Sequence, residues 1–365
     1  MHLYLHVPFC ARRCSYCDFA IAVRREVPSD AYVDAILEEW ALWQSEPVWD
    51  ESPVVETIYF GGGTPSRISP DAIARLIDRI RADRPVAGDA EITLEANPDD
   101  VTLPAAAVWR AAGVNRVSLG VQSFDPFVLQ WMHRVHTADD VPRAVDALRC
   151  AGIQDLSLDL IFGLPPELGR DWPEDLHRAL SLEPEHLSLY GLTIEPHTVL
   201  GHQSARGELT PVDEDRYATE FLAAHEAMLS QGYDHYEVSN AALPGHRARH
   251  NSAYWRRAPF IGLGPAAHSG FRRKRWWNVR EWAEYQRVVR SGAWPVAGSE
   301  DLTDSAVELE ELYLGLRTTD GSPEDRVKAR VRQAWKGSGW AILENGRVRL
   351  TAEGWLRLDA LVASI

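Results

Sequence analysis

The sequence contains no uncharged apolar run near the roughly 18–20 residues a bilayer span requires. Its opening, Met1-His2-Leu3-Tyr4-Leu5-His6-Val7-Pro8, is too short and too polar for a secretion signal. The expected compartment is therefore the cytoplasm. Positive charge is also scarce: 38 Lys and Arg stand against 53 Asp and Glu, for a net charge of -15. That balance speaks against a surface that binds nucleic acid or anionic lipid as a whole, while leaving room for a local basic site. Cysteine is rarer still, four in 365 residues, which excludes a small disulfide-stapled scaffold. No internal repeat or low-complexity tract is present. What remains is a globular chain, 45% hydrophobic, long enough for one large or two moderate domains.

Along the first two thirds, short β-type runs alternate with stretches of helical spacing. The runs are Leu3–Val7, Thr57–Phe60, Glu91–Glu95, Asn115–Leu119, Asp155–Phe162 and His186–Leu192. Ile73, Leu76, Ile77 and Ile80, or Val141, Val145 and Leu148, supply the helical period between them. Strands separated by helical crossovers pair in parallel, which predicts an α/β fold, either a doubly wound sheet or a complete or partial (β/α) barrel. Polar groups recur at one end of these strands: Gly61-Gly62-Gly63-Thr64 after the second, Glu95 closing the third, Gln122 after the fourth and Asp159 within the fifth. In such folds ligands sit at the carboxyl ends of the strands, so these groups are expected to converge.

The rhythm changes near residue 200. A helix is expected over Asp213–Gln231, then an aromatic segment Tyr233–Tyr236 and a long stretch rich in Gly, Arg and Trp. The last 65 residues read as a small unit with helices near Ser305–Leu316 and Glu324–Trp335, a hairpin turning at Asn345-Gly346, and a closing helix from Ala352. Helices followed by a hairpin suggest a winged-helix-like module. The division expected is 1–200, 201–300 and 301–365.

Three of the four cysteines, Cys10, Cys14 and Cys17, fall within eight residues; Cys150 stands alone on an apolar helical pattern and is expected to be a buried small hydrophobe. Structural zinc takes four ligands, usually as paired C-x2-C arms, and no second arm follows. A [4Fe–4S] cube also usually takes four cysteines, so three leave one iron open, as a ligand-binding centre requires.

Cys-x3-Cys-x2-Cys after a first strand resembles the radical S-adenosylmethionine (SAM) superfamily, in which SAM fills the open iron position. Tyr4-x-His6-x-Pro8-Phe9-Cys10-x3-Cys14-x-Tyr16-Cys17, Phe60-Gly61-Gly62-Gly63-Thr64-Pro65, Gly120-Val121-Gln122-Ser123 and Gly262-Leu263-Gly264-Pro265-Ala266-Ala267-His268-Ser269 are similar to the branch holding the anaerobic coproporphyrinogen III dehydrogenases and the HemW-type heme chaperones. The resemblance spans nearly the whole chain. It implies a partial (β/α)6 barrel with a small C-terminal α+β unit, a [4Fe–4S] cluster on Cys10, Cys14 and Cys17, and SAM near Tyr4, Tyr16, Gly62, Gly63, Thr64, Glu95, Gln122, Arg134 and Asp159.

Within the branch, dehydrogenase relatives carry a further cysteine two positions after the third, where this chain has Cys17-Asp18-Phe19. They also carry an extension before the first strand, whereas Cys10 comes early here. Both features resemble the chaperones. Val238 to Arg280 holds no Asp or Glu but nine basic residues, at 247, 249, 256, 257, 272, 273, 274, 275 and 280, interleaved with aromatics and His246, His250 and His268. Such a segment suits a flat dianionic macrocycle with a central iron, Arg or Lys meeting the propionates and His the metal. His250-Asn251-Ser252-Ala253-Tyr254-Trp255 reads H-N-x-x-Y-W, a pattern associated with heme binding in HemW chaperones, which makes His250 the candidate ligand. The resemblance implies heme delivery to apo-hemoproteins, respiratory ones among them, with peripheral membrane association. The alternatives are a coproporphyrinogen III dehydrogenase and an RNA-modifying radical SAM enzyme; the overall charge and the lack of an appended nucleic-acid domain count against the last.

Overall fold

Every second residue of the first strand, β1 (His2–Val7), is aliphatic. Leu3, Leu5 and Val7 are fully buried in the apolar cluster that also holds Ile36 and Trp40 of α1 (Ser29–Trp43). The alternation puts His2, Tyr4 and His6 on the opposite face. The computed structural model, which describes residues 1–365, repeats this logic through β2 (Val55–Gly62), β3 (Val86–Ala96), β4 (Arg116–Gln122), β5 (Asp155–Phe162) and β6 (His186–Gly191). These strands pair in parallel and in sequence order. Helices cross over between them, several opened by a side-chain cap: Ser69 accepts from the Ala72 amide, Thr102 from Ala105 and Asp171 from Glu174.

Register aligns the inward residues into layers. Tyr4 lies beside Tyr59, Tyr59 beside Thr93, Thr93 beside Arg116 and Arg116 beside Asp155. One layer higher, Glu95, Ser118, Ser157 and His186 align across four strands. The six βα units thus form a partial (β/α)6 barrel.

The aromatic segment and the stretch rich in Gly, Arg and Trp contain regular structure that their composition conceals. They contribute β7 (Asp234–Glu237), β8 (Asn240–Ala242), β9 (Phe260–Leu263), β10 (His268–Phe271) and β11 (Lys274–Asn278), followed by β12 (Val296–Asp301). β9 is a seventh parallel strand, on the free side of β1, and β10 to β12 continue the sheet antiparallel. On the other flank β8 pairs with β6, and β7 with β8. The sheet therefore runs β12-β11-β10-β9-β1-β2-β3-β4-β5-β6-β8-β7 and stays open.

The acids missing between 238 and 280 arrive from elsewhere. Arg247 pairs with Asp234, Arg249 with Asp89 at 3.2 Å, Arg257 with Glu310 at 2.7 Å, Arg272 with Glu51, Arg273 with Asp304, and Arg275 with Glu310 and with Glu300 at 3.5 Å. Most of the basic segment is thus neutralised rather than displayed. Several of those partners belong to helix Asp304–Leu316, the first element of a small winged-helix-like α+β unit. Its three-stranded sheet contains the expected hairpin, Ala341–Glu344 against Arg347–Leu350, with positive φ at Asn345 and Gly346 as a type I′ turn requires. The unit abuts β7, where Glu237 bridges Thr318 and the Val238 amide donates to the Arg317 carbonyl.

One buried carboxyl ties the C-terminal strands to the first helix. Glu39, 1% exposed, accepts from the Gly264 amide at 2.8 Å, Asn278 Nδ2 at 2.7 Å and the Tyr285 hydroxyl at 2.6 Å. Burial pushes it up to about 7. Glu39→Ala, which strands three donors, is expected to cost about 3–5 kcal/mol in denaturant unfolding. Because the folded chain holds this proton more tightly than the unfolded chain, the contribution is complete below the ordinary carboxyl range. It is lost as pH rises through 7. The stability of wild type relative to Glu39→Gln should therefore fall by roughly 3 kcal/mol between pH 5 and 8.

Candidate functional site

The carboxyl ends of β1 to β6 surround a cavity of about 420 Å³. Cys10, Cys14 and Cys17 line one side of it, on the loop that leaves β1. Gly62, Gly63 and Thr64 follow β2; Glu95, Gln122 and Asp159 come from β3, β4 and β5; Tyr16 and Arg134 complete the ring. One residue expected near SAM lies off this wall. Tyr4 sits one layer down, its hydroxyl 3.1 Å from His6 Nδ1 and its ring stacked on Tyr59. His250, 1% exposed, sits against the sheet interior, with Nδ1 2.7 Å from Thr57 Oγ1, Nε2 2.7 Å from the Tyr254 hydroxyl and its ring stacked on Tyr59. Cys150 differs from expectation as well. It ends helix Asp140–Cys150 and is exposed, because the apolar stripe of that helix turns Val141, Val145 and Leu148 inward instead.

The glycines of Gly61-Gly62-Gly63 are required by the protein's own packing. A Cβ on Gly62, which has φ +115°, would stand 2.6 Å from the His6 ring; one on Gly63 would stand 3.0 Å from Cys10 Sγ and 2.9 Å from the Pro8 carbonyl carbon. Backbone-to-backbone contact thus presses the cysteine loop onto the end of β2. Thr64 Oγ1 donates to Cys10 Sγ at 3.5 Å, and Arg134 Nη1 to Cys14 Sγ at 3.6 Å. Burial pushes the Cys10 thiol up and the Cys17 thiol up to about 11. The donors fit an iron–sulfur cluster in kind, since three thiols on one loop share one cavity and two already receive the hydrogen bonds that steady a thiolate.

Arg134 reaches this wall because Nη2 donates to Asn97 Oδ1 at 2.5 Å and to the Gly120 carbonyl at 2.8 Å, while its buried Nε has no partner. Burial draws the guanidinium down, but Tyr16 and Cys14 more than offset this. Gln122 adopts φ +66° where the β4–β5 register slips between Gly120 and Gln122. Such a bulge re-aims a side chain, and a non-glycine residue there is strained.

The opposite wall is acidic. Glu95 accepts from the Tyr59 hydroxyl at 2.7 Å and the Gly62 amide at 3.0 Å; burial, with the nearby Asp159, raises it to about 7. Asp159 accepts from Ser118 Oγ at 2.9 Å and Ser157 Oγ at 3.1 Å, and burial raises it to about 6. The cavity therefore has a thiol and guanidinium wall facing two carboxyls poised to ionise near neutrality, suited to a ligand with both a carboxylate and a cationic centre. At the mouth, Phe19, 61% exposed, stands two positions beyond Cys17, with Val135 and Tyr190 also exposed. Tyr59, Asn97, Ser118 and Tyr190 were not among the residues singled out from the sequence. The alternation Thr57/Tyr59, Arg116/Ser118 and Ser188/Tyr190 along their strands carried the signal.

Residues 4–179 match the profile of the radical SAM superfamily. The "Heme chaperone HemW" of Mycobacterium tuberculosis is 36% identical over all of this chain and 94% of its own length. The HemW of Escherichia coli is 40% identical over 73% of this chain and 69% of its own. Among solved structures, the E. coli coproporphyrinogen III oxidase HemN, described as a radical SAM enzyme, superposes with a TM-score of 0.79 at 22% identity, covering 99% of this chain and 88% of that one, which shows a shared fold.

Two outcomes follow from the geometry. Gly63→Ala, expected to cost about 1–3 kcal/mol through overpacking, should reduce the iron retained after anaerobic reconstitution while the circular dichroism of the fold persists. Binding of a cationic ligand by Glu95 and Asp159 should tighten as pH rises through 6 to 7, and Glu95→Gln should flatten that rise in calorimetric titrations.

Proposed function

The chain belongs to the HemW family of the radical SAM superfamily, and on that premise we propose that it holds a [4Fe–4S] cluster, SAM and heme, and passes heme to apo-hemoproteins. The observation that carries the reading is the single cavity in which three loop cysteines face Glu95 and Asp159, in a chain whose full length aligns with a heme chaperone. Cys10, Cys14 and Cys17 would hold the cluster, and Arg134 and Glu95 would grip the carboxylate and cationic ends of SAM. When bound, the cluster supplies one open iron and an electron source. Thr64 and Arg134 steady the sulfurs, Gly63 keeps the loop seated, and Asn97 holds Arg134 in place.

His250 is the candidate for the heme iron. Burial lowers it to about 3, so its imidazole stays neutral and metal-competent throughout the physiological range. Its two nitrogens are engaged by Thr57 and Tyr254, so ligation requires one of them to let go; Tyr254, next along the same short helix, holds Nε2. Phe19 favours the chaperone over the dehydrogenase, because it stands exposed where dehydrogenase relatives place a further cysteine. No helix is long and apolar enough to cross a membrane. The site of action proposed is the cytoplasm, with recipients that include respiratory hemoproteins at the membrane face.

The test is anaerobic reconstitution followed by hemin titration and parallel assays for heme transfer to an apo-cytochrome and for coproporphyrinogen conversion. A Soret band, lost in His250→Ala with iron content intact, and transfer without conversion are expected. Conversion to protoporphyrinogen selects the dehydrogenase, and salt-dependent tRNA binding without a Soret band selects RNA modification. Cys10→Ala, Cys14→Ala and Cys17→Ala should each lose most of the iron; zinc in place of iron in oxygen-free preparations overturns the cluster assignment.

A further inference from the structure

Asp159 is the cavity carboxyl at the end of a chain of buried hydrogen bonds that runs down through the barrel. Ser157 Oγ lies 3.1 Å from Asp159 Oδ1 and 2.8 Å from His186 Nδ1; His186 Nε2 lies 2.8 Å from the Tyr236 hydroxyl, which accepts from the Ala248 amide at 3.2 Å. Ser157, His186 and Tyr236 are all at most 2% exposed. Each of the three has one hydrogen to give, since burial holds His186 neutral, far below its ordinary value.

One polarised arrangement of those hydrogens serves an ionised Asp159. If Ser157 donates to Asp159, its oxygen accepts from His186 Nδ1–H; Nε2 is then the acceptor, and Tyr236 must donate to it. The Ala248 amide donates to a lone pair of Tyr236. Arg249 and His250 follow directly, their amides held by Glu91 at 2.8 and 2.9 Å. The chain thus joins the cavity to the backbone two residues before the candidate heme ligand.

We infer that Ser157, His186 and Tyr236 form a positioning relay that fixes Asp159 as an ionised acceptor in the cavity and ties its charge to the segment starting at Ala248. This rests on the proposed SAM-binding role of Asp159. The other groups facing that carboxyl are Glu95 from β3, Tyr59 from β2, Arg116 from β4 and Tyr190 from β6. None of them donates to it; the other hydroxyls that hydrogen-bond it are Ser118 and Ser188, and Ser188 Oγ also lies 3.2 Å from Ser157 Oγ. Removing the Tyr236 hydroxyl takes away the donor that holds His186 as the Nδ1–H tautomer; in the molecules that tautomerise, Ser157 turns its hydrogen toward Nδ1 and Asp159 loses a donor.

The experiment compares wild type, Tyr236→Phe and Ser157→Ala in the cofactor-free full chain, following the Asp159 carboxylic C=O band by pH-difference infrared spectroscopy, with Asp159→Asn identifying the band. Both variants should move the titration midpoint upward by roughly half to one pH unit. Calorimetric titration with SAM on reconstituted protein should move its pH dependence in the same direction. A midpoint unchanged in Ser157→Ala overturns the relay, and one shifted by Ser157→Ala but not by Tyr236→Phe overturns its extension to Ala248. Ser157→Ala carries the first test even where Tyr236→Phe does not fold. A shifted infrared midpoint with no SAM binding leaves the relay standing and removes the cofactor role of Asp159, so the two failures are separable.

Discussion

Two carboxyl groups enclosed in the interior of a parallel sheet are the constraint around which the barrel end is organised. Moving a carboxyl out of water without partners costs several kcal/mol, so each is met by donors from neighbouring strands. Tyr59 and the Gly62 amide serve Glu95; Ser118 and Ser157 serve Asp159. Those donors must occupy inward positions, which fixes the register of β2, β4 and β5, and the register in turn brings Gly61-Gly62-Gly63 under the cysteine loop. Cavity, cysteine loop and polar layers are therefore one solution to one desolvation problem.

The basic segment plays a different part from the one its composition suggests. Unopposed in sequence, its arginines are opposed in space, largely by acids of the C-terminal unit and of the first helices. Each exposed pair is worth only about 0–1 kcal/mol, so specificity of docking is the more natural role than raw stability. Lys274, Arg256 and Arg280 have no carboxylate partner and carry what positive potential the segment still presents.

Legibility followed the strength of local pattern. β5 was read with its observed boundaries and β1 within one residue, because a buried parallel strand between helices has an uninterrupted apolar phase. The six βα units, the Asn345-Gly346 turn and the convergence of strand-end polar groups were visible for similar reasons. β9 to β11 were not, because glycines and arginines break their hydrophobic pattern and their pairing is either non-local or at the sheet margin. Tyr4 fell outside the cavity wall for a physical reason: motif proximity says nothing about which layer of a barrel a side chain occupies. Cys150 was misjudged because a cysteine at a helix end follows the stripe only if the final turn is itself covered.

An open sheet of this size leaves two unpaired margins, and the chain guards them differently. The β12 margin is solvent-facing and ends in Ser299-Glu300-Asp301, whose charges repel a second strand. The β7 margin has little such protection and is capped by the C-terminal unit through the Glu237–Thr318 bridge and flanking amide bonds. That small unit thus acts as a cover for a sticky backbone edge, and a chain cleaved before Thr303 would bare a ready template for intermolecular β-pairing even with its cofactor cavity intact.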